Sequence, residues 1–160
     1  MTFHRDEGGS LAVLTVVLLP TVLVVALGVL ELGIVRVVAE RARIAADLAT
    51  VTAVNDQDEA ELAQSGSLRS ASDADTVARA QLAANLEPLA ASLAATPEAI
   101  AAAADVAVVR RGDVDPRTGR AYPGPAVRLT ADLPVRTPFF AALLARPVTV
   151  VTLFSASSAR

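Results

Sequence analysis

The longest apolar stretch of the chain lies near its N-terminus. From Leu11 to Leu30 every residue is apolar or small except Thr15 and Thr21. At the standard helical rise of about 1.5 Å per residue, this run spans roughly 30 Å, the thickness of the hydrocarbon core of a bilayer. The pattern therefore predicts a transmembrane helix at residues 10–35, preceded by a tail or leader at residues 1–9.

A cleaved secretory signal is the alternative interpretation of this segment. Such signals combine a basic start, an apolar region of about 7 to 15 residues and a small-x-small cleavage site. Here the tail His4-Arg5-Asp6-Glu7 is not clearly basic, the apolar run is longer, and no convincing cleavage site follows it. A retained helix is therefore favoured. Pro20 predicts a kink within it, which a membrane helix tolerates better than a soluble one.

The arginines around the apolar run leave its orientation open. Arg5 is the only basic residue before the run, whereas Arg36, Arg41 and Arg43 follow it. The positive-inside rule would place the C-terminal side in the cytoplasm. Because the preceding tail is so short, this count alone does not decide the topology.

Apolar periodicity continues beyond the predicted membrane segment. Positions spaced alternately by four and three residues form one stripe, which is the heptad pattern of a helix that packs along one side. This stripe, called the seam below, consists of Leu30, Ile34, Val37, Arg41, Ile44, Leu48 and Val51. It predicts a helix extension at residues 36–55, with Asn55-Asp56 as the stop. We expect the seam to pack against the chain's own soluble domain, with a partner helix as the alternative.

Glu31 adjoins the seam at the end of the apolar run. A carboxylate there could pair with Arg36 or with a neighbouring chain, or it could face water at the membrane surface, which is the less costly arrangement. Because it adjoins the seam and could pair with a neighbouring chain, we include Glu31 in the candidate helix-packing interface.

Residues 56–160 predict a small soluble α+β domain. Ser72 or Asp73 can cap a second helix that ends near Ala95, and Thr96-Pro97 starts a third that ends near Ala104. Three strands are predicted, at residues 106–109, at 127–131 with Pro134 ending the strand, and at 148–155. A short helix at residues 137–144 separates the last two strands. A three-stranded antiparallel sheet is the economical arrangement, and we expect it to be anchored by Phe139, Phe140 and Phe154.

Composition and charge argue against several functions. The net charge is −3 and all 14 cationic residues are arginines, without a basic stripe, so we expect no nucleic-acid partner. The chain has no cysteine, which excludes disulfides, zinc-thiolate sites and thiol nucleophiles.

No residue pattern points to catalysis or to a cofactor. The only histidine, His4, lies in the tail, and Asp113 and Asp115 lack the later ligands of a calcium loop. Gly8-Gly9-Ser10 is not followed by the Lys of a phosphate loop. We therefore predict no catalytic, cofactor-binding or metal-binding residues, no small-molecule substrate, and a protein that is not an enzyme.

Two short motifs flank the apolar run within residues 5–55. The first is Arg5-Asp6-Glu7-Gly8-Gly9-Ser10-Leu11-Ala12-Val13, and the second is Arg41-Ala42-Arg43-Ile44-Ala45-Ala46-Asp47-Leu48-Ala49. In this order they resemble the Arg/Asp-Gly-Ser-Ala-Val start and the Arg-x-x-x-Ala-Ala-Asp-x-Ala stretch of TadE/TadG-like proteins of tight-adherence (Flp) pilus systems. The rest of the chain carries no diagnostic motif, although its helices followed by strands are similar to the variable exported domain of such proteins.

The resemblance implies a pilin-like pilus-assembly component or minor pseudopilin in the inner membrane of a bacterium, with an extracytoplasmic C-terminal domain. Its partners would be membrane lipid and other pilus subunits. In pilin-like members a peptidase cuts after a Gly, and Glu is the fifth mature residue; here Gly9 and Ser10 flank the candidate cut, and Leu14 is fifth. The alternatives are a membrane-tethered extracytoplasmic binding module or adaptor unrelated to pili, and a tethered hydrolase, which would need converging polar side chains in the soluble domain.

Overall fold

The computed structural model describes residues 7–57, 63–64, 66 and 73–159, with side chains from residue 14 onward. Within this part of the chain the fold is α+β. A long N-terminal apolar helix is followed by further helices and a three-stranded antiparallel sheet, as the sequence pattern predicts.

The first helix, α1, covers Glu7–Asn55 and has 49 residues. It runs through Pro20 as a single element, and the Thr21 hydroxyl donates a hydrogen bond to the Val17 carbonyl oxygen at 2.9 Å. From Leu14 onward the helix is long and apolar enough to cross a membrane. The predicted extension of one helix beyond the apolar run is therefore confirmed.

The next helices are shorter. Helix α2 covers Ala74–Leu86, a 3-10 helix covers Glu87–Ser92, and α3 covers Pro97–Ala103. The predicted continuation of α2 to Ala95 is wrong, because Pro88 has no N–H with which to continue the α-helical ladder and the chain tightens there.

The predicted helix caps differ in outcome. Asp73 stands at the N-cap of α2 without a capping bond from its side chain, and Ser72 lies outside the described residues. At the start of α3 the Thr96 hydroxyl accepts a hydrogen bond from the Ala99 amide at 3.2 Å, so that predicted cap is confirmed.

The sheet has the strand order β1-β2-β3, and both pairs are antiparallel. The strands cover Asp105–Val109 (β1), Ala126–Arg136 (β2) and Val148–Ser158 (β3). Strand β1 pairs only with the first five residues of β2, whereas β3 pairs along its whole length from Ser158 opposite Ala126 to Val148 opposite Arg136. The second half of β2 is therefore paired on one side only.

This asymmetry explains why Pro134 does not end β2, contrary to the sequence prediction. Its carbonyl oxygen accepts a hydrogen bond from the Ala94 amide at 2.8 Å, on the side away from β3. In an antiparallel strand the nitrogen of a residue points to the same side as its carbonyl. The missing N–H of Pro134 therefore removes no hydrogen bond from the β2–β3 ladder.

A short helix, α4, forms the tip of the β2–β3 hairpin. It covers Pro138–Leu144 and ends at Ala145, whose φ of 54° is left-handed. Buried Thr137 closes the base of the tip, because its amide donates to the Pro147 carbonyl at 3.0 Å and its hydroxyl to the Arg146 carbonyl at 2.9 Å. The tip is thus a closed loop with α4 at its end.

Aliphatic side chains fill the core, and the prediction that phenylalanines anchor it is wrong. The largest fully buried apolar side chains are Leu82, Leu86, Leu93, Leu129, Leu133, Val127 and Val135. Phe154 is 49% exposed, and α4, which carries Phe139 and Phe140, has no buried residue. The inward face of the sheet meets α1 and α2, where leucine and valine occupy the available space.

Candidate functional site

The C-terminal half of α1 presents one face to the domain. That face consists mainly of small residues, which allow α2 and the sheet to approach closely: Val35, Val38, Ala42, Ala45, Ala46, Ala49 and Ala53. Alanine contributes little apolar area, so the sequence alone gives only a weak signal that this face of α1 contacts the domain. The domain therefore covers a face of α1 that differs from the seam.

The seam itself faces outward. Its six apolar side chains are 44 to 61% exposed, and Arg41 between them is exposed as well. The expectation that the seam packs on the chain's own domain is therefore wrong. An uncovered apolar stripe, from Leu30 to Val51, continues the apolar surface of the predicted membrane segment along the side of the domain.

Glu31 is the member of the candidate interface that does not face outward, since it is only 5% exposed. Its two carboxylate oxygens accept hydrogen bonds from the backbone amides of Phe139 and Phe140, each at 2.7 Å. These amides lie in the first turn of α4, where N–H groups have no partner within the helix. Glu31 is thus turned away from solvent and binds the start of α4 rather than Arg36.

The aromatic rings of α4 lie against α1 at Gly28, beside this cap. A Cβ atom at Gly28 would lie 3.6 Å from a ring carbon of Phe139 and 3.9 Å from one of Phe140, so both rings rest close to the helix backbone. The two rings also contact each other, with centroids 5.9 Å apart. Gly28 and Glu31 lie one turn apart on α1, and together they fix α4 at the end of the apolar segment.

Asp115 lies fully buried in the loop between β1 and β2. It accepts hydrogen bonds from the Arg117 amide at 3.0 Å and the Thr118 hydroxyl at 2.8 Å, and Arg128 Nε lies 3.1 Å from its Oδ2. These contacts complete a turn and an ion pair, and Asp113 stays exposed on the same loop. Among the described residues, no group of three or more His, Cys, Asp or Glu side chains could hold a metal ion.

The same arginines perturb two carboxyl groups. Hydrogen bonds from Arg128 and then Arg117 hold the pKa of Asp105 below its ordinary value. Burial alone would raise the pKa of Asp115, but the Arg117 amide, the Thr118 hydroxyl and the Arg128 guanidinium outweigh it and leave that pKa lowered. Both carboxylates are therefore charged at neutral pH and link the loop to the sheet.

A second polar cluster joins α1 to β3. Thr50 Oγ1 lies 2.9 Å from the hydroxyl oxygens of Ser155 and Ser157, and the Ser155 hydroxyl donates to Asp47 Oδ1 at 2.6 Å. A serine beside a carboxylate is a feature of some hydrolases, but nucleophilic attack needs a general base and an accessible hydroxyl. Ser155 is 3% exposed, and no imidazole or lysine contacts it within the described part of the chain. The cluster therefore serves to position α1 on the sheet.

A groove of about 660 Å³ separates α1 from the free edge of β3. Its helix wall carries charged side chains, among them Arg36, Glu40 and Arg43, and its other wall is residues 151–154. A strand edge with unpaired backbone groups can accept an extended peptide. The groove is thus a second candidate binding surface, which adjoins the seam at Val37.

The remaining predicted residues lie at the N-terminus. Gly9 and Ser10 lie in the first turns of α1, in the part for which only the backbone is described. His4 lies outside the described residues.

Sequence reasoning missed the Glu31 cap and the Thr50 cluster. Glu31 precedes its partners in α4 by 108 and 109 positions, and Thr50 precedes Ser155 by 105. Such separations leave no local pattern. The one available signal was an acidic residue at the end of an apolar run, which is costly unless it is paired.

Comparisons with protein-family models, with curated proteins and with solved structures find no match to this chain.

Proposed function

We propose that this protein is a non-enzymatic assembly component anchored by one membrane helix, of the TadE/TadG-like kind that serves a tight-adherence pilus or secretion system. The N-terminal part of α1 lies in the inner membrane, and the domain that follows is extracytoplasmic. The seam binds a helix of another subunit. The two N-terminal motifs support the pilus assignment, and the uncovered seam supports the role in assembly.

The single observation that carries the proposal is the outward position of the seam. A soluble domain that functioned alone would gain by covering six half-exposed aliphatic side chains, yet α1 turns its alanine face inward and leaves the larger side chains outside. Their spacing suits knobs-into-holes packing against a second helix. Arg41 within the stripe favours a partner that offers an acidic or polar group at that level.

Site-specific cross-linking in native membranes tests this role. The chain has no cysteine, so Ile44→Cys and Leu48→Cys each give a single site for a thiol-linked photo-cross-linker. Arg43→Cys is the matched control, because this exposed residue adjoins Ile44 but lies on the charged face of α1. We expect the two seam variants to cross-link to a membrane protein with an apolar N-terminal helix, and the control to give little product. Equal products at all three sites, or none, would refute the seam as an interface.

The mature N-terminus tests the pilin-like assignment separately. The measurement is the intact mass of the protein from cells with and without prepilin peptidase, and a peptidase-dependent start at Ser10 would establish pilin-like processing. An intact N-terminus in both strains would remove processing from the proposal and leave a permanently anchored assembly factor.

The groove beside β3 favours one alternative, a membrane-tethered binding module or adaptor that captures an extended segment of another protein. In that case Phe154→Ser, which alters the groove wall, would abolish partner capture, whereas Ile44→Cys and Leu48→Cys, which lie outside the groove, would not. The proposed assembly role predicts the reverse.

A further inference from the structure

Helix α4 lies at the level where the apolar segment of α1 ends. Glu31 binds its first turn, and the rings of Phe139 and Phe140 cover the backbone at Gly28. If the apolar run crosses a bilayer as proposed above, Gly28 lies within the last turns of the span. The hairpin tip therefore sits against the membrane surface, far along the sheet from the loop that carries Asp115.

The outer surface of α4 is apolar. Leu143 is 51% exposed and Leu144 is 58% exposed, and no residue of this helix is buried. Leu30 and Leu32 of α1, at the neighbouring level, are also more than half exposed. Within the part of the chain that the structure describes, nothing covers this apolar helix, and it continues the apolar surface of the proposed membrane segment. Such a surface is suited to lipid.

Arginines stand on the domain side of this apolar surface. Arg136 and Arg146 flank α4 in the sequence, and Arg36 follows Glu31 in α1. All three are exposed, but Arg136 Nε donates a hydrogen bond to the Leu93 carbonyl oxygen at 2.6 Å, so Arg36 and Arg146 are the two that can reach lipid. Arginine side chains at this depth can extend toward lipid phosphate groups while apolar neighbours enter the acyl region.

We propose that α4 is an interfacial helix that inserts Leu143 and Leu144 into the headgroup–acyl boundary of a phospholipid bilayer. The proposal rests on the membrane anchor of the proposed function. Two hydrogen bonds to Glu31 and the ring contacts at Gly28 join α4 to α1, so insertion sets the tilt of the domain, and hence the direction of the seam, relative to the membrane plane.

Tryptophan quenching by brominated lipid tests the insertion. The chain has no tryptophan, so each substitution introduces a single reporter into the full-length protein in phosphatidylcholine–phosphatidylglycerol vesicles. Leu144→Trp reports on α4, with Leu143→Trp as a second reporter should the first variant fail to fold. Leu18→Trp reports on the apolar run, and Val114→Trp is the matched control, because Val114 is equally exposed but lies on the β1–β2 loop.

We expect Leu144→Trp to lose most of its fluorescence with lipids brominated near the headgroup, Leu18→Trp with lipids brominated near the chain ends, and Val114→Trp with neither. The interfacial role of α4 would be overturned if the Leu18 reporter were quenched while the reporters at Leu143 and Leu144 stayed unquenched, as at Val114. That result would leave the membrane anchor intact. An unquenched Leu18 reporter would overturn the anchor and the proposal built on it. Equal quenching at Val114 and Leu144 would also contradict a specific role for α4.

Discussion

Removing the charge of Glu31 is expected to release α4 from α1. In Glu31→Gln one side-chain oxygen remains to accept a hydrogen bond, but the new amide group presents its own N–H to the second backbone donor. The hydrogen bonds that the substitution weakens are those from the amides of Phe139 and Phe140 to the carboxylate, which are both 2.7 Å long. A hydrogen bond to a charged group contributes about 1.5–3 kcal/mol, and an N-cap about 0.5–2 kcal/mol.

A loss of about 2–3 kcal/mol is therefore reasonable for this substitution, and it corresponds to a roughly 30- to 140-fold increase in local opening. The effect should stay local, because no residue of α4 belongs to the buried core. The global unfolding temperature should change little, whereas the hairpin tip should open more often.

Residue-resolved amide hydrogen exchange by NMR, on the full chain in detergent micelles, measures this opening. In Glu31→Gln the amide hydrogens of Phe139 and Phe140 should exchange faster by the factor given above, and the exchange rates of the β2 amides should not change. Glu40→Gln, an exposed glutamate on the same helix, is the matched control and should leave all rates unchanged. Unaltered exchange at Phe139 and Phe140 in Glu31→Gln would refute the capping role.

Three further substitutions test the domain through unfolding in the same micelles. Because the pKa of Asp115 is lowered in the fold, its contribution to stability is present above the unfolded pKa of about 3.9 and is lost as pH falls through the folded pKa. Asp115→Asn should therefore lower the unfolding temperature at pH 7, and the difference from the parent protein should narrow toward pH 3. A difference that does not change with pH would contradict the lowered pKa of Asp115. Gly124→Ala would place a Cβ against the Ala159 carbonyl oxygen and should lower the free energy of unfolding by about 1–3 kcal/mol through overpacking. The control Gly33→Ala, with open space around it, should leave that free energy unchanged. Equal effects of the two substitutions in denaturant titration would refute this account. Leu82→Ala removes a fully buried side chain and should cost about 2–5 kcal/mol, so a loss below about 1 kcal/mol would mean that α2 is not packed as described.

Several predictions that depend on local chemistry agree with the structure, although the predicted end of α2 and its side-chain cap do not. The apolar run and the seam periodicity predicted one long helix, because helix periodicity is carried by neighbouring residues. Thr96 followed by Pro97 predicted the start of α3, since a cap needs only the next three residues. Alternation of apolar and polar residues located the first half of β2, and a run of β-branched residues located β3.

The predictions for Pro134 and for the phenylalanines were wrong, because they depend on which surfaces meet in the folded chain. Pro134 continues β2 because its nitrogen faces away from β3, and the side on which a nitrogen points is fixed by strand pairing. The phenylalanines lie outside the core because leucines from α2 and β2 already fill the space under the sheet. Hydrophobicity alone does not predict whether the leucine or the phenylalanine side chains are buried, since burial depends on shape and position as well as on side-chain size.

The sequence by itself determined the α+β class, the long apolar helix and the existence of an apolar stripe along it. Only the tertiary structure decided that the alanine face of α1 meets the domain while the seam stays outside, because close packing selects the face that fits its neighbours. It alone also joined Glu31 to Phe139 and Phe140, since a hydrogen bond across more than 100 residues depends on how the chain folds back and leaves no periodic signal.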